Sequence, residues 1–197
     1  MKIYLRTCSL YEVRKAGEYG LIDGIKLLPE NGEDKCVATD NDTKSIICCT
    51  NGPIFVSAAG NNSEDILQQA LQLLRLSPNI VISIKATHEG FKACKILADK
   101  EVSVMITDLD STTKAIMAAK SGAAFVCFNM KKVKQKSVAN FKVLAQTVKL
   151  IRYHELHASV LANISGESID LDSVTATGVD GLEITFTGLM KFLENDS

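Results

Sequence analysis

The chain contains no tryptophan, only three prolines and three histidines, and its six cysteines form no C-x-x-C pair. Each shortage removes a class of protein. Scarce proline and ordinary apolar and charged content exclude low-complexity or disordered character. Unevenly spaced cysteines (Cys8, Cys36, Cys48, Cys49, Cys94, Cys127), most of them in or beside apolar segments, predict reduced thiols rather than a disulfide framework or a zinc site. His88, His154 and His157 are too scattered for a metal cluster, so neither a metal nor a cofactor is expected. Net charge is −1, which gives no bulk electrostatic case for nucleic acid. The basic run 131–136 reads as a solvated helix start or loop. No apolar stretch approaches a membrane span, and Met1 leads directly into the alternating Lys2-Ile3-Tyr4-Leu5-Arg6 with no signal-peptide core. A cytoplasmic protein is expected. Neither G-x-G-x-x-G after the first strand nor G-x-x-x-x-G-K-[ST] occurs, so the two main nucleotide-binding loops are missing.

What is present is a rhythm. Eight short runs rich in valine and isoleucine read as strands: Ile3 to Thr7, Gly24 to Leu28, Ile54 to Ala58, Asn79 to Lys85, Val102 to Thr107, Ala124 to Asn129, His157 to Ile164 and Gly181 to Phe186. Helical patterns lie between most of them, at Ser9 to Tyr19, Ser63 to Leu74, Thr87 to Asp99, Ser111 to Ser121, Gln135 to Tyr153 and Ser168 to Thr177. The Ser63 pattern has carboxylates in its first turn, with Ser63 as the expected cap. The polar stretch Glu30 to Lys44 reads as a long loop or a decayed second helix. Parallel strands need crossover connections, and eight such units over residues 1–197 predict one α/β domain, a (β/α)8 TIM barrel, with an open α/β sheet as the runner-up.

Several segments resemble the short transaldolase and fructose-6-phosphate aldolase family. Asn79-Ile80-Val81-Ile82-Ser83-Ile84-Lys85-Ala86-Thr87-His88-Glu89-Gly90 is similar to its N-I-V-V-K-I-P-x-T-x-E-G. Ala118-Ala119-Lys120-Ser121-Gly122-Ala123 is similar to its A-A-x-A-G-A. Met1 to Thr7 resembles M-K-I-F-I-D-T, and Leu21-Ile22-Asp23-Gly24-Ile25 resembles L-x-D-G-V. The resemblance implies the same barrel. It also implies that the family's further C-terminal helix, which in the aldolases swaps onto a neighbouring subunit, is absent after Glu194. A homo-oligomer of the family's kind is therefore not assured.

The resemblance further implies a reaction centre in which a strand-four lysine forms a Schiff base with a ketose phosphate. That position is Ser83, whose hydroxyl cannot form an imine. The strand-one aspartate is replaced by Arg6, the strand-two asparagine by Leu28, the strand-three carboxylate or glutamine by Ser57 and the strand-five asparagine by Met105. Thr107 is kept. Cys127 stands for the strand-six serine and Lys132 for the phosphate arginine beyond it, while Ile164 and Gly166 stand for the serine and second basic residue of strand seven.

Strand alternation adds a counterpoint. Ser83 and Lys85 share a face, with Ile80, Ile82 and Ile84 on the other, so Lys85 points to the barrel axis about 6.6 Å nearer the catalytic rim. Arg6 and Lys26 also fall on inward faces, with Lys132 near the rim, and Glu183 and Asp110 are candidate counter-charges. These residues form either an internal ion-pair network or a small anion site using Arg6, Lys26 and Lys85 for a phosphate or carboxylate group, and Ser57 and Lys132 join Arg6 and Lys26 as candidate ligands of a sugar phosphate. The leading expectation is a catalytically degenerate family member. The alternative is an active Schiff-base aldolase or transaldolase using Lys85, and a third is an interaction module without a small ligand.

Overall fold

The computed structural model describes residues 1–28, 41–130, 138–164 and 171–194. Eight strands, β1 (Lys2–Thr7), β2 (Gly24–Leu27), β3 (Ile54–Ser57), β4 (Ile80–Lys85), β5 (Val104–Leu109), β6 (Phe125–Asn129), β7 (Ser159–Asn163) and β8 (Gly181–Thr185), pair in parallel and in sequence order. The circle closes between β1 and β8, where Lys2 pairs with Gly181 and Arg6 with Thr185. The open-sheet alternative is thereby excluded. Each strand is followed by a helix: α1 (Leu10–Gly17), α2 (Asn41–Cys49), α3 (Ser63–Leu73), α4 (His88–Ala98), α5 (Thr112–Lys120), α6 (Val138–Tyr153), α7 (Leu171–Ala176) and α8 (Phe186–Glu194).

Period-two alternation sorts the strand residues onto two faces. Ile80, Ile82 and Ile84 of β4 join the core between barrel and helices, whereas Val81 points inward. The inward residues at the strands' N-terminal ends form a plug of Tyr4, Phe55, Val81, Met105 and Leu161, with Phe125 against it. Tyr4 and Phe55 meet edge to face with centroids 4.9 Å apart, as do Phe55 and Phe125 at 5.1 Å. Gly181 is glycine because a Cβ there would stand 2.9 Å from the Tyr4 ring. The plug shuts one end of the barrel, so what space remains opens at the C-terminal ends of the strands.

Helix starts follow capping chemistry. Ser9 caps α1, Thr87 caps α4 and Ser111 caps α5, each side chain accepting a backbone N–H three residues on. At α3 the cap is Asn62, which accepts from Asp65 N, and Ser63 is the first helical residue. This corrects the expectation of a serine cap. Of the polar stretch, Asn41 to Lys44 begin α2, in line with the second-helix alternative, and residues 30–40 lie outside the described set. Among the described residues no helix is long and apolar enough to cross a membrane.

Candidate active site

The segment most similar to the family motif divides into a structural part and a site part. Thr87-His88-Glu89-Gly90 builds the join from β4 to α4. Thr87 Oγ1 accepts the Gly90 N–H at 3.0 Å, and a Cβ on Gly90 would lie 2.2 Å from the Lys85 carbonyl oxygen, so only glycine lets the helix approach this closely. Glu89 accepts from Lys92 Nζ at 2.8 Å and from Ser63 N at 3.0 Å, and lies 3.1 Å from His88 Nδ1. The Lys92 and Ser63 bonds, with His88, hold its carboxyl at about 2. Glu89 thus ties the start of α4 to the start of α3.

Above the plug a cavity of about 380 Å³ opens at the C-terminal end of the barrel. It is lined by Arg6, Lys26, Ser83 and Lys85, which alternation placed inward, and by Ser57 and Thr107, which the resemblance aligned with site positions. Lys132 lies outside the described residues. Strand register fixes their neighbours. Arg6 stands beside Lys26 across β1 and β2, Ser57 beside Ser83 across β3 and β4, and Lys85 beside Thr107 across β4 and β5.

Lys26 is buried and donates to Ser57 Oγ at 3.1 Å. Arg6 Nη1 lies 3.6 Å from Glu183 Oε2, an ion pair in which the carboxylate side chain is 2% exposed. Thr107 Oγ1 donates to the Ile84 carbonyl at 3.3 Å. Ser83 is 2% exposed, whereas Lys85, one inward step nearer the rim, is exposed. Four buried atoms, Arg6 Nε and Nη1, Ser83 Oγ and Glu183 Oε1, make no hydrogen bond to described residues. Such atoms cost about 1–3 kcal/mol each unless something polar meets them.

Three further cavity residues escaped the sequence reading: Asp108, Asn129 and Asn163. Asp108 sits where β5 slips register against β6, between Ile106 and Leu109, with φ of 60°. The bulge inserts one residue into the alternation and turns Asp108 into the cavity, at a backbone cost on the order of 1 kcal/mol. Asn129 Nδ2 donates to Asp108 Oδ1 at 3.2 Å. Asn129, Asn163 and Glu183 stand in one register row across β6, β7 and β8.

Two expectations need correction. Asp110 is no partner of the barrel cations: it lies beyond the bulge and pairs with Lys114 Nζ of α5 at 2.9 Å. Ile164 does not reach the cavity either. It packs into the core outside the barrel, and its neighbour Asn163 occupies the inward position. Met105 belongs to the plug below the site. Cys127 reaches the cavity wall, where burial, helped by the charge of Glu183, pushes its thiol well above the ordinary value. Among the described residues no group of three or more His, Cys, Asp or Glu side chains stands together as metal ligands would.

A closed eight-stranded parallel barrel with alternating helices, plugged at one end and carrying a polar cavity at the other, defines a (β/α)8 TIM barrel. The family description "Transaldolase/Fructose-6-phosphate aldolase" matches residues 27–171, and the chain belongs to that family. A probable transaldolase of Dictyoglomus turgidum is 27% identical over 195 residues, covering 99% of this chain and 91% of its own. One from Coprothermobacter proteolyticus is 32% identical over 126 residues, 64% of this chain and 58% of its own. One from a Geobacillus species is 20% identical over 195 residues, 99% of this chain and 92% of its own.

Proposed function

We propose that this chain is a transaldolase-family barrel that no longer performs Schiff-base chemistry and instead binds a sugar phosphate or related small anion in its cavity. The observation that carries the reading is Ser83. It occupies the strand position where the family resemblance implies the imine-forming lysine, buried in the cavity wall with a hydroxyl that cannot condense with a ketone. The surrounding charges point the same way. Arg6, in the place of the aspartate that the resemblance implies, is paired to Glu183, and Ser57, in the place of the carboxylate or glutamine, accepts from Lys26, so the positions that would assist an aldol cleavage hold a paired cation and a neutral hydroxyl.

A second reading has one observation in its favour. Lys85 lies on the same inward face of β4 and lines the same cavity, so an amine stands one inward step above the lost one. Incubation with dihydroxyacetone, dihydroxyacetone phosphate or fructose 6-phosphate, followed by borohydride reduction and mass spectrometry, separates the two. The proposal expects unmodified protein together with a thermal shift from a sugar phosphate or a related small anion. A reduced adduct on Lys85 would overturn it in favour of an active aldolase or transaldolase. No adduct and no thermal shift from any small anion would leave an interaction module.

A further inference from the structure

The cavity wall is chemically two-sided. Its cations come from the first half of the barrel, with Arg6 on β1, Lys26 on β2 and Lys85 on β4, beside the hydroxyls of Ser57 and Ser83. The second half supplies no cation among the described lining residues. It offers Asp108, Asn129, Asn163 and Glu183, from β5, β6, β7 and β8. Ammonium and guanidinium groups recognise an anionic head, whereas carboxylates, which accept, and carboxamides, which accept and donate, recognise hydroxyl groups. The three cations are offset by two carboxylates, Asp108 and Glu183, so the described wall carries one net positive charge. That matches a monoanion better than a dianionic phosphate ester. Buried atoms without a hydrogen bond to described residues face the cavity from both halves: Arg6 Nε and Ser83 Oγ from the first, Glu183 Oε1 from the second. Ser83 and Glu183 are both nine-tenths buried or more.

We propose that the cavity takes a hydroxylated monocarboxylate, the class of sugar acids. Its carboxylate lies against Arg6, Lys26 and Ser83, with Lys85 closing from the rim, and its hydroxyls lie along the Asp108–Asn129–Asn163 side. A volume of about 380 Å³ admits a short polyhydroxylated carbon chain. The inference rests on the reading of this cavity as a ligand site and narrows the ligand from small anions in general to one charge and one orientation.

The test is calorimetric titration of the full chain with D-gluconate, D-glucitol, fructose 6-phosphate and inorganic phosphate, at two ionic strengths. Gluconate is expected to bind, and glucitol, of equal length without the charge, to bind at least about tenfold more weakly. Lys85→Met and Asn163→Ala, which leave the Arg6–Glu183 pair intact, are each expected to weaken gluconate about tenfold when titrated well below the melting temperature measured for the free variant. If fructose 6-phosphate binds more tightly than gluconate, the sugar-acid proposal is overturned while the cavity's role as an anion site stands. If no probe binds, both fail. Equal affinity for gluconate and glucitol would overturn the assignment of the cationic half as the recognition element.

Discussion

Replacing Glu183 by glutamine removes the carboxylate that faces Arg6 across the cavity wall. The two side chains are 2% and 16% exposed, and their charged atoms stand 3.6 Å apart, so neither charge is fully hydrated. Breaking a buried ion pair by deleting one partner costs about 3–5 kcal/mol, because the remaining charge is stranded. Arg6 retains some access to the open cavity, which places the expected loss near the lower end, about 3 kcal/mol. A chain of this length loses about 2–4 °C of melting temperature per kcal/mol, which gives a fall of about 6–12 °C for Glu183→Gln. Arg6→Met combined with Glu183→Leu removes both charges together and is expected to recover most of that fall. Melting followed by circular dichroism reads both variants. If Glu183→Gln melted within about 2 °C of the parent, Arg6 would not depend on Glu183, and the ion-pair account of the cavity wall would be refuted.

Three other outcomes are expected. Phe55→Ala hollows the aromatic plug at a fully buried position and is expected to cost about 3–5 kcal/mol, seen as a lowered urea midpoint at unchanged slope. Glu89 has a folded-state carboxyl held at about 2, below its ordinary value. Its stabilisation is therefore fully present above about pH 4.5 and disappears as pH falls towards 2, and the difference in stability between the parent and Glu89→Gln should shrink over that window. Cys48 and Cys49 are exposed, whereas burial pushes Cys94 up to about 12 and Cys127 well up. Timed alkylation with peptide mapping should label the first pair in the native state and the second pair only after unfolding.

The barrel was legible because its strands are short runs of β-branched residues whose alternation separates Ile80, Ile82 and Ile84 from Val81, Ser83 and Lys85. Two features worked against that regularity. The bulge in β5 adds one residue to the alternation, so period-two counting from Thr107 points Leu109 inward when the inward residue is Asp108, and Asp110, the candidate counter-charge, pairs with Lys114 instead. No sequence signal marks that left-handed aspartate apart from aspartate's tolerance of positive φ. On β7, alignment led to Ile164, although counting two residues on from Leu161 reaches Asn163, and the same step from Cys127 reaches Asn129. Those two amides were available to strand periodicity and were missed by following resemblance past it. The pairing of Arg6 with Glu183 joins strands that are neighbours only because the barrel closes between β1 and β8, a contact that no local pattern encodes.

The central claim, that loss of the β4 lysine at Ser83 ended imine chemistry in this barrel, meets its most direct test in reductive trapping. With dihydroxyacetone phosphate or fructose 6-phosphate and borohydride, intact-mass spectrometry is predicted to return the unmodified mass, in the parent chain and in Lys85→Met alike. A reduced adduct that maps to Lys85 and vanishes in Lys85→Met would contradict the claim and make this chain a working Schiff-base enzyme with a displaced lysine.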